Sequence, residues 1–215
     1  MINGISVKVC GITSAADAGA AAGIGADSLG FIFYPSSPRC ITAARFDEMR
    51  PRLPAVKKVA VLVEPFVLDL AALKATGFDY FQIHFKLSMP LARVKEWSEV
   101  VTPAKLWLVP QLPPADDVPA ELLPLADTFL LDTFHASKFG GTGETGDWTK
   151  FQRHQMAHPQ KTWILSGGLK PENVMAAIRA TGATFVDVNS GVESSPGVKD
   201  HAKLQELALV IGRRT

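Results

Sequence analysis

Two cysteines in 215 residues, Cys10 and Cys40, are too few for a disulfide framework. They also lack the paired spacing of a structural zinc site. No apolar run approaches the ~18 residues that would suggest a membrane-spanning helix. Twenty-two basic residues nearly cancel 21 acidic ones, leaving a formal charge of +1. There is no field of one sign to hold a nucleic-acid backbone or an anionic membrane. MINGISVKVC at the start has neither the basic-plus-apolar plan of a signal peptide nor a transit-peptide composition, so a cytoplasmic location is expected. The histidines at 135, 154, 158 and 201 share no ligand spacing and read as surface residues, so no metal site is expected. Low-complexity segments are absent.

What is present is an alternation. Short β-branched runs at residues 6–10, 28–33, 58–63, 80–84, 105–110, 128–132, 162–165 and 185–189 predict strands. Helix-like stretches lie between several of them, at 15–23, 42–49, 67–77, 171–181 and 201–211. Such alternation implies parallel strands joined by right-handed crossovers. Eight units of roughly 27 residues suit a compact α/β fold, a (β/α)8 or TIM barrel occupying residues 1–215 as one domain. An open, doubly wound sheet is the second possibility. Against it, the first strand runs into CGIT and not into a glycine-rich dinucleotide fingerprint. The stretch 110–124 holds five prolines and predicts a loop with a stunted helix.

In a barrel, the C-terminal ends of the strands converge on one mouth. That collects Cys10, Arg39, His84, Asp132 and Asp187 with two small-residue turns, Ser166-Gly167-Gly168 and Asn189-Ser190-Gly191. Glycine turns before helices let an anion approach backbone N–H groups, and the loops after strands seven and eight commonly do this for phosphate. Taken singly, such turns are ordinary tight turns. Asp132 follows the apolar run Phe129-Leu130-Leu131, where a carboxylate must be solvated, paired or useful, with capping as its commonplace use. Arg39, held by two preceding prolines in YPSSPRC, suits bidentate recognition of a carboxylate or phosphate, although a lone arginine most often ends in a surface ion pair. The segment KFGGTGETGDW after Asp132 reads as a cover over the mouth. Cys40 reads as packing.

Together KVCGIT, LGFIFYPSSPR, LLDT…GGTGETGDW, LSGGLKPENV and VDVNSGVESSPGVKD resemble the phosphoribosylanthranilate isomerase family, in order, from about residue 7 to 200. The resemblance implies a cofactor-free (β/α)8 isomerase of tryptophan biosynthesis, present as a monomer or homodimer. Its implied partner is a small phosphorylated substrate, with no nucleic acid or membrane involved. It implies the third step from chorismate to tryptophan, an Amadori rearrangement of N-(5-phospho-β-D-ribosyl)anthranilate to 1-(2-carboxyphenylamino)-1-deoxy-D-ribulose 5-phosphate. Position by position, it makes Cys10 the general base and Asp132 the general acid. Arg39 matches the arginine for the anthranilate carboxylate. His84 and Asp187 match auxiliary positions, and Gly168, Ser190 and Gly191 the phosphate loops. The chain departs from the family pattern at Phe85-Lys86 after His84, at Gly146 before Asp147-Trp148, and at Asn189, where serine is common.

Two other readings compete. The histidine-pathway isomerase performs the analogous step, but that resemblance would favour two aspartates where this chain offers Cys10. A phospholigand-binding barrel without activity has no need of both Cys10 and Asp132. If Cys10 is the base, its environment is expected to lower the thiol pKa from the usual ~8.5, with Arg39 as one candidate cation.

Overall fold

A computed structural model describes residues 1–132 and 147–213. Eight parallel strands close into a barrel in sequence order: β1 (Ser6–Val9), β2 (Ser28–Ile32), β3 (Lys57–Val63), β4 (Tyr80–Lys86), β5 (Leu106–Gln111), β6 (Thr128–Leu131), β7 (Thr162–Leu165) and β8 (Phe185–Val188). Closure is made by β8 pairing with β1, where Lys8 lies directly beside Asp187. The helices are α1 (Ala15–Gly23), α2 (Ala43–Met49), α3 (Val67–Lys74), α4 (Leu91–Val101), α5 (Trp148–Ala157), α6 (Val174–Thr181) and α7 (His201–Gly212). Between β5 and β6, where the barrel pattern calls for a helix, Ala120–Leu125 makes only a 3-10 turn with Pro124 inside it. The missing proline N–H and its clash with the preceding turn are sufficient cause. A short hairpin, β9 (Glu193–Ser195) and β10 (Val198–Lys199), sits between β8 and α7.

Local chemistry starts the helices. Ser14, Thr42, Asp147 and Asp200 each accept a hydrogen bond from a backbone N–H in the first turn of α1, α2, α5 and α7 respectively. Such caps satisfy donors that no helical carbonyl can reach, each worth ~1 kcal/mol. At the other end of α6, Gly182 takes the left-handed conformation, φ 69°, that terminates a helix at little steric cost.

The strands alternate between two apolar layers. Val7, Val9, Leu29, Phe31, Ile83 and Phe129 belong to the outer core between sheet and helices. Cys10, Ile32, Val59, Val61, Trp107, Val109, Leu130 and Ile164 form a separate cluster within the ring. Tyr80 stacks on Trp107 at 4.9 Å, and Trp107 meets Phe185 edge-on at 5.7 Å. These residues stand near the starts of their strands, so the rings plug one end of the barrel. Successive inward positions then climb toward the other end. On β1 these are Lys8 and Cys10, on β4 Gln82 and His84, and on β8 Asp187 and Asn189.

Candidate active site

At the open end lies a cavity of about 600 Å³. Its lining includes Cys10, Arg39, His84, Asp132, Asp187, Gly168 and Ser190. Seven of the eight residues singled out from sequence therefore meet in one place. The eighth, Gly191, stands just behind the lining, pressed against the loop after β7: a Cβ on it would lie 2.1 Å from the Leu169 carbonyl oxygen. The two glycine turns are thus packed on each other. Asn173 holds the first of them, accepting from the Lys170 N–H at 2.8 Å and donating to the Gly168 carbonyl at 2.9 Å. The second begins a 3-10 turn at Ser190–Val192. Most of the expected cover segment, residues 138–146 with Gly146 among them, lies outside the described residues, as does His135.

Cys10 follows the last residue of β1 and is 4% exposed. Burial pushes its thiol pKa up, against the pull of the Lys8 ammonium, with Asp187 adding to the rise and Lys199 countering it. This corrects the expectation of a lowered pKa. Arg39 is not the cation that acts on the sulfur, because its guanidinium is engaged elsewhere. Nε and Nη2 hold the Glu193 carboxylate at 2.7–3.1 Å, and both residues are buried. Lys199 donates to the same carboxylate at 2.9 Å and to Asn189 Oδ1 at 3.0 Å. Burial alone would raise Glu193, but Arg39 and Lys199 outweigh it and keep the carboxylate ionised. Asn189, one of the departures from the family pattern, thereby ties the mouth loop to the hairpin lysine.

His84 is half-buried on the cavity wall, and desolvation there with the Lys8 charge depresses its pKa to about 3. It is therefore neutral across the physiological range. Its Nε2 lies 2.8 Å from the Gln82 side-chain nitrogen, which suits an imidazole accepting there. Strand β4 continues past His84 to Lys86, and Phe85 points outward to meet Trp97 edge-on at 5.7 Å. The departure Phe85 thus supports the outer core and does not shape the cavity.

Several residues at the site carry no signal that sequence reasoning used. Lys8 is fully buried, and its Nζ lies 3.0 Å from Asp187 Oδ1. Burial would lower its pKa, but Asp187 and Cys10 raise it further, so it stays an ammonium. Burial raises the Asp187 carboxyl while Lys8 draws it back. Gln82, Glu193 and Lys199 are likewise buried. A charged residue inside VKVC, on a strand apolar on both faces, was the one local clue to Lys8. His154, expected at the surface, is instead 4% exposed and stacks on Trp163 at 5.3 Å. His201 is half-exposed and meets Asp17 at 2.9 Å. Cys40 is half-buried and reduced.

No group of three or more His, Cys, Asp or Glu side chains suited to a metal ion occurs among the described residues. No helix among them is long and apolar enough to cross a membrane.

Comparison with known proteins gives a consistent result. The profile described as N-(5'phosphoribosyl)anthranilate (PRA) isomerase matches residues 7–209. The N-(5'-phosphoribosyl)anthranilate isomerase of Neisseria meningitidis is 37% identical over 206 residues, 93% of each chain. The crystal structure of phosphoribosyl anthranilate isomerase from Thermus thermophilus superposes with a TM-score of 0.79 at 27% identity, covering 96% of this chain and 98% of that one. Another such isomerase, in complex with reduced 1-(o-carboxyphenylamino)-1-deoxyribulose 5-phosphate, gives a TM-score of 0.73 at 29% identity, with 96% and 98% covered.

Proposed function

The chain belongs to the N-(5'-phosphoribosyl)anthranilate isomerase family, enzymes of tryptophan biosynthesis, and from that premise we propose how its own residues carry the reaction. The substrate is N-(5-phospho-β-D-ribosyl)anthranilate and the product 1-(2-carboxyphenylamino)-1-deoxy-D-ribulose 5-phosphate, the third step from chorismate to tryptophan. Asp132 gives a proton to the furanose ring oxygen, and the C1′–O bond breaks to leave a protonated imine. The Cys10 thiolate then removes the C2′ proton, producing an enolamine that tautomerises to the ketone. Splitting acid and base between two strands lets each act on its own atom without competing for one proton. The phosphate rests between the turns at Gly168 and at Ser190-Gly191, where backbone donors cluster. Arg39, oriented by Glu193, takes the anthranilate carboxylate. Neutral His84 and Asp187 line the wall beside the reacting carbons.

The observation that carries this reading is that Cys10, after β1, and Asp132, after β6, line the same cavity as both glycine turns. The chemistry needs an acid, a base and an anion seat within one substrate's length. The reduced product bound by a relative is itself a phosphate ester carrying the carboxyphenylamino group. Steady-state kinetics on Cys10→Ser and Asp132→Asn test it. General acid or base assistance is typically worth ~10²–10⁴-fold, so each variant should lose about that much kcat while KM moves little. A folded Cys10→Ser enzyme with near-normal kcat sinks the assignment of the base.

A further inference from the structure

A fully buried lysine inside the ring is the feature that the family reaction, as set out above, leaves unused. Lys8 and Cys10 are two apart on the same strand and so share the inward face. Both crowd the same spot on β2. An added Cβ on Gly30 would lie 2.8 Å from Cys10 Sγ and 3.0 Å from Lys8 Nζ. A side chain there would drive the two apart, and its lack lets the ammonium fold up beneath the sulfur. Lys8 donates to Asp187 across the β1–β8 seam at 3.0 Å, and its ammonium acts electrostatically on the neighbouring Cys10 sulfur.

We propose that Lys8 is a positioning residue for the proton transfer at Cys10, anchored on Asp187 and set beside Sγ so that its ammonium opposes the burial that disfavours the thiolate. This rests on the reading of Cys10 as the base. A purely structural pair would explain less. The strands are already joined by backbone hydrogen bonds, and a buried ion pair is weak evidence for stability. The surroundings of Cys10 also leave little else to do the work. Ile32, Val59, Val61, Trp107, Val109, Leu130 and Ile164 cluster with it inside the ring and are all apolar. Lys199, from the hairpin, acts on the sulfur only through its field and is tied to Glu193 and Asn189. Arg39 is tied to Glu193, His84 is neutral, and Asp132 lies on the same cavity wall. Burial drives the thiol toward its protonated form, and the Lys8 ammonium is the largest influence opposing that. When Cys10 takes the C2′ proton, the thiol that results needs the ammonium less, and Asp187 keeps Lys8 neutralised throughout the cycle.

The experiment is the pH dependence of Cys10 alkylation by iodoacetamide, in a Cys40→Ser background so that one thiol reacts, read beside the pH profile of kcat/KM. Four proteins are compared: the Cys40→Ser parent, Lys8→Met, Asp187→Asn, and the double variant Lys8→Met/Asp187→Asn. Lys8→Met should move the alkylation midpoint upward by at least about one unit, a tenfold loss of thiolate at neutral pH. Asp187→Asn removes the carboxylate that competes for the ammonium and should move the midpoint downward. If Lys8→Met leaves Asp187 unpaired and fails to fold, the double variant decides, because it discards both charges and keeps the shape; it must titrate above Asp187→Asn. Midpoints that do not move with Lys8 overturn the proposal. If the alkylation midpoint moves but the acid limb of kcat/KM does not follow, Lys8 still governs the sulfur and the assignment of Cys10 as the base is what fails.

Discussion

Gly191→Ala tests whether the contact between the two mouth loops matters to binding. The added methyl carbon would lie 2.1 Å from the Leu169 carbonyl oxygen, 2.9 Å from the Leu169 carbonyl carbon and 2.7 Å from Lys170 Cβ. Ordinary contact begins near 3.4 Å, so the loops must separate by about 1.3 Å (3.4 − 2.1). Two of the three obstructing atoms are backbone, and the third is fixed to it, so no side-chain rotation relieves the overlap. Overpacking of this kind costs about 1–3 kcal/mol of stability, which a barrel of this size should survive folded. A misplacement of ~1 Å at a bound group can cost about 10²-fold in turnover efficiency. We expect kcat/KM to fall by about that factor, mainly through KM, because the displaced element is the proposed phosphate seat. The proposed acid and base, Asp132 and Cys10, follow other strands. Gly19→Ala is the matched control. It is exposed within α1 with nothing within 4 Å of its Cβ position, and alanine there should stabilise by about 0.5–1 kcal/mol without touching kinetics. The assays are steady-state kinetics and calorimetric binding of reduced product. A folded Gly191→Ala enzyme whose KM and product affinity stay within about twofold of normal refutes the phosphate-seat argument.

Two further outcomes follow from the ion pairs and the His84 imidazole. Arg39→Lys keeps the charge but gives up the two-pronged grip on Glu193, so KM should rise by roughly tenfold or more while kcat stays within a few-fold; a loss confined to kcat would contradict its role as an anchor. His84 titrates near 3 in the folded protein against ~6.5 unfolded, so the unfolded chain binds the proton first as pH falls. Stability should therefore be full above pH ~6.5 and decline by up to about 1.4 kcal/mol per unit toward pH 3 on this account. His84→Asn should flatten part of that slope in chemical denaturation, and an unchanged slope would show that the imidazole is not held uncharged.

The barrel was legible because parallel strands covered on both faces read as unbroken β-branched runs, and all eight expected strands are found with ends displaced by no more than a residue or two. The largest displacement is at β4, which runs on to Lys86 because Phe85 has an outer core to enter. Helices α4 and α5 were not anticipated, and His154, read as a surface residue for want of ligand spacing, lies on α5 with its ring against Trp163. The residues proposed for proton transfer were legible through motif and topology. Lys8, Glu193 and Lys199 were not, because a buried charge declares itself only through its partner. The partner of Lys8 is 179 positions away and that of Arg39 is 154 away. The direction of the Cys10 shift failed for the same reason, since burial is a property of the closed ring and VKVCGIT carries no trace of it.

Those long separations share a direction. Lys8 to Asp187, Arg39 to Glu193, Thr13 to the Gly197 carbonyl and Asp17 to His201 all join the first forty residues to the segment 187–201. The site is sewn along the seam where the chain meets its own beginning. A barrel stalled at seven strands would hold most of its outer apolar layer yet strand a lysine and an arginine without their counter-charges, so a half-finished chain has no half-finished site. If Cys10 and Asp132 act as proposed, a change that loosens the meeting of the two ends should impair turnover however far from those two residues it falls.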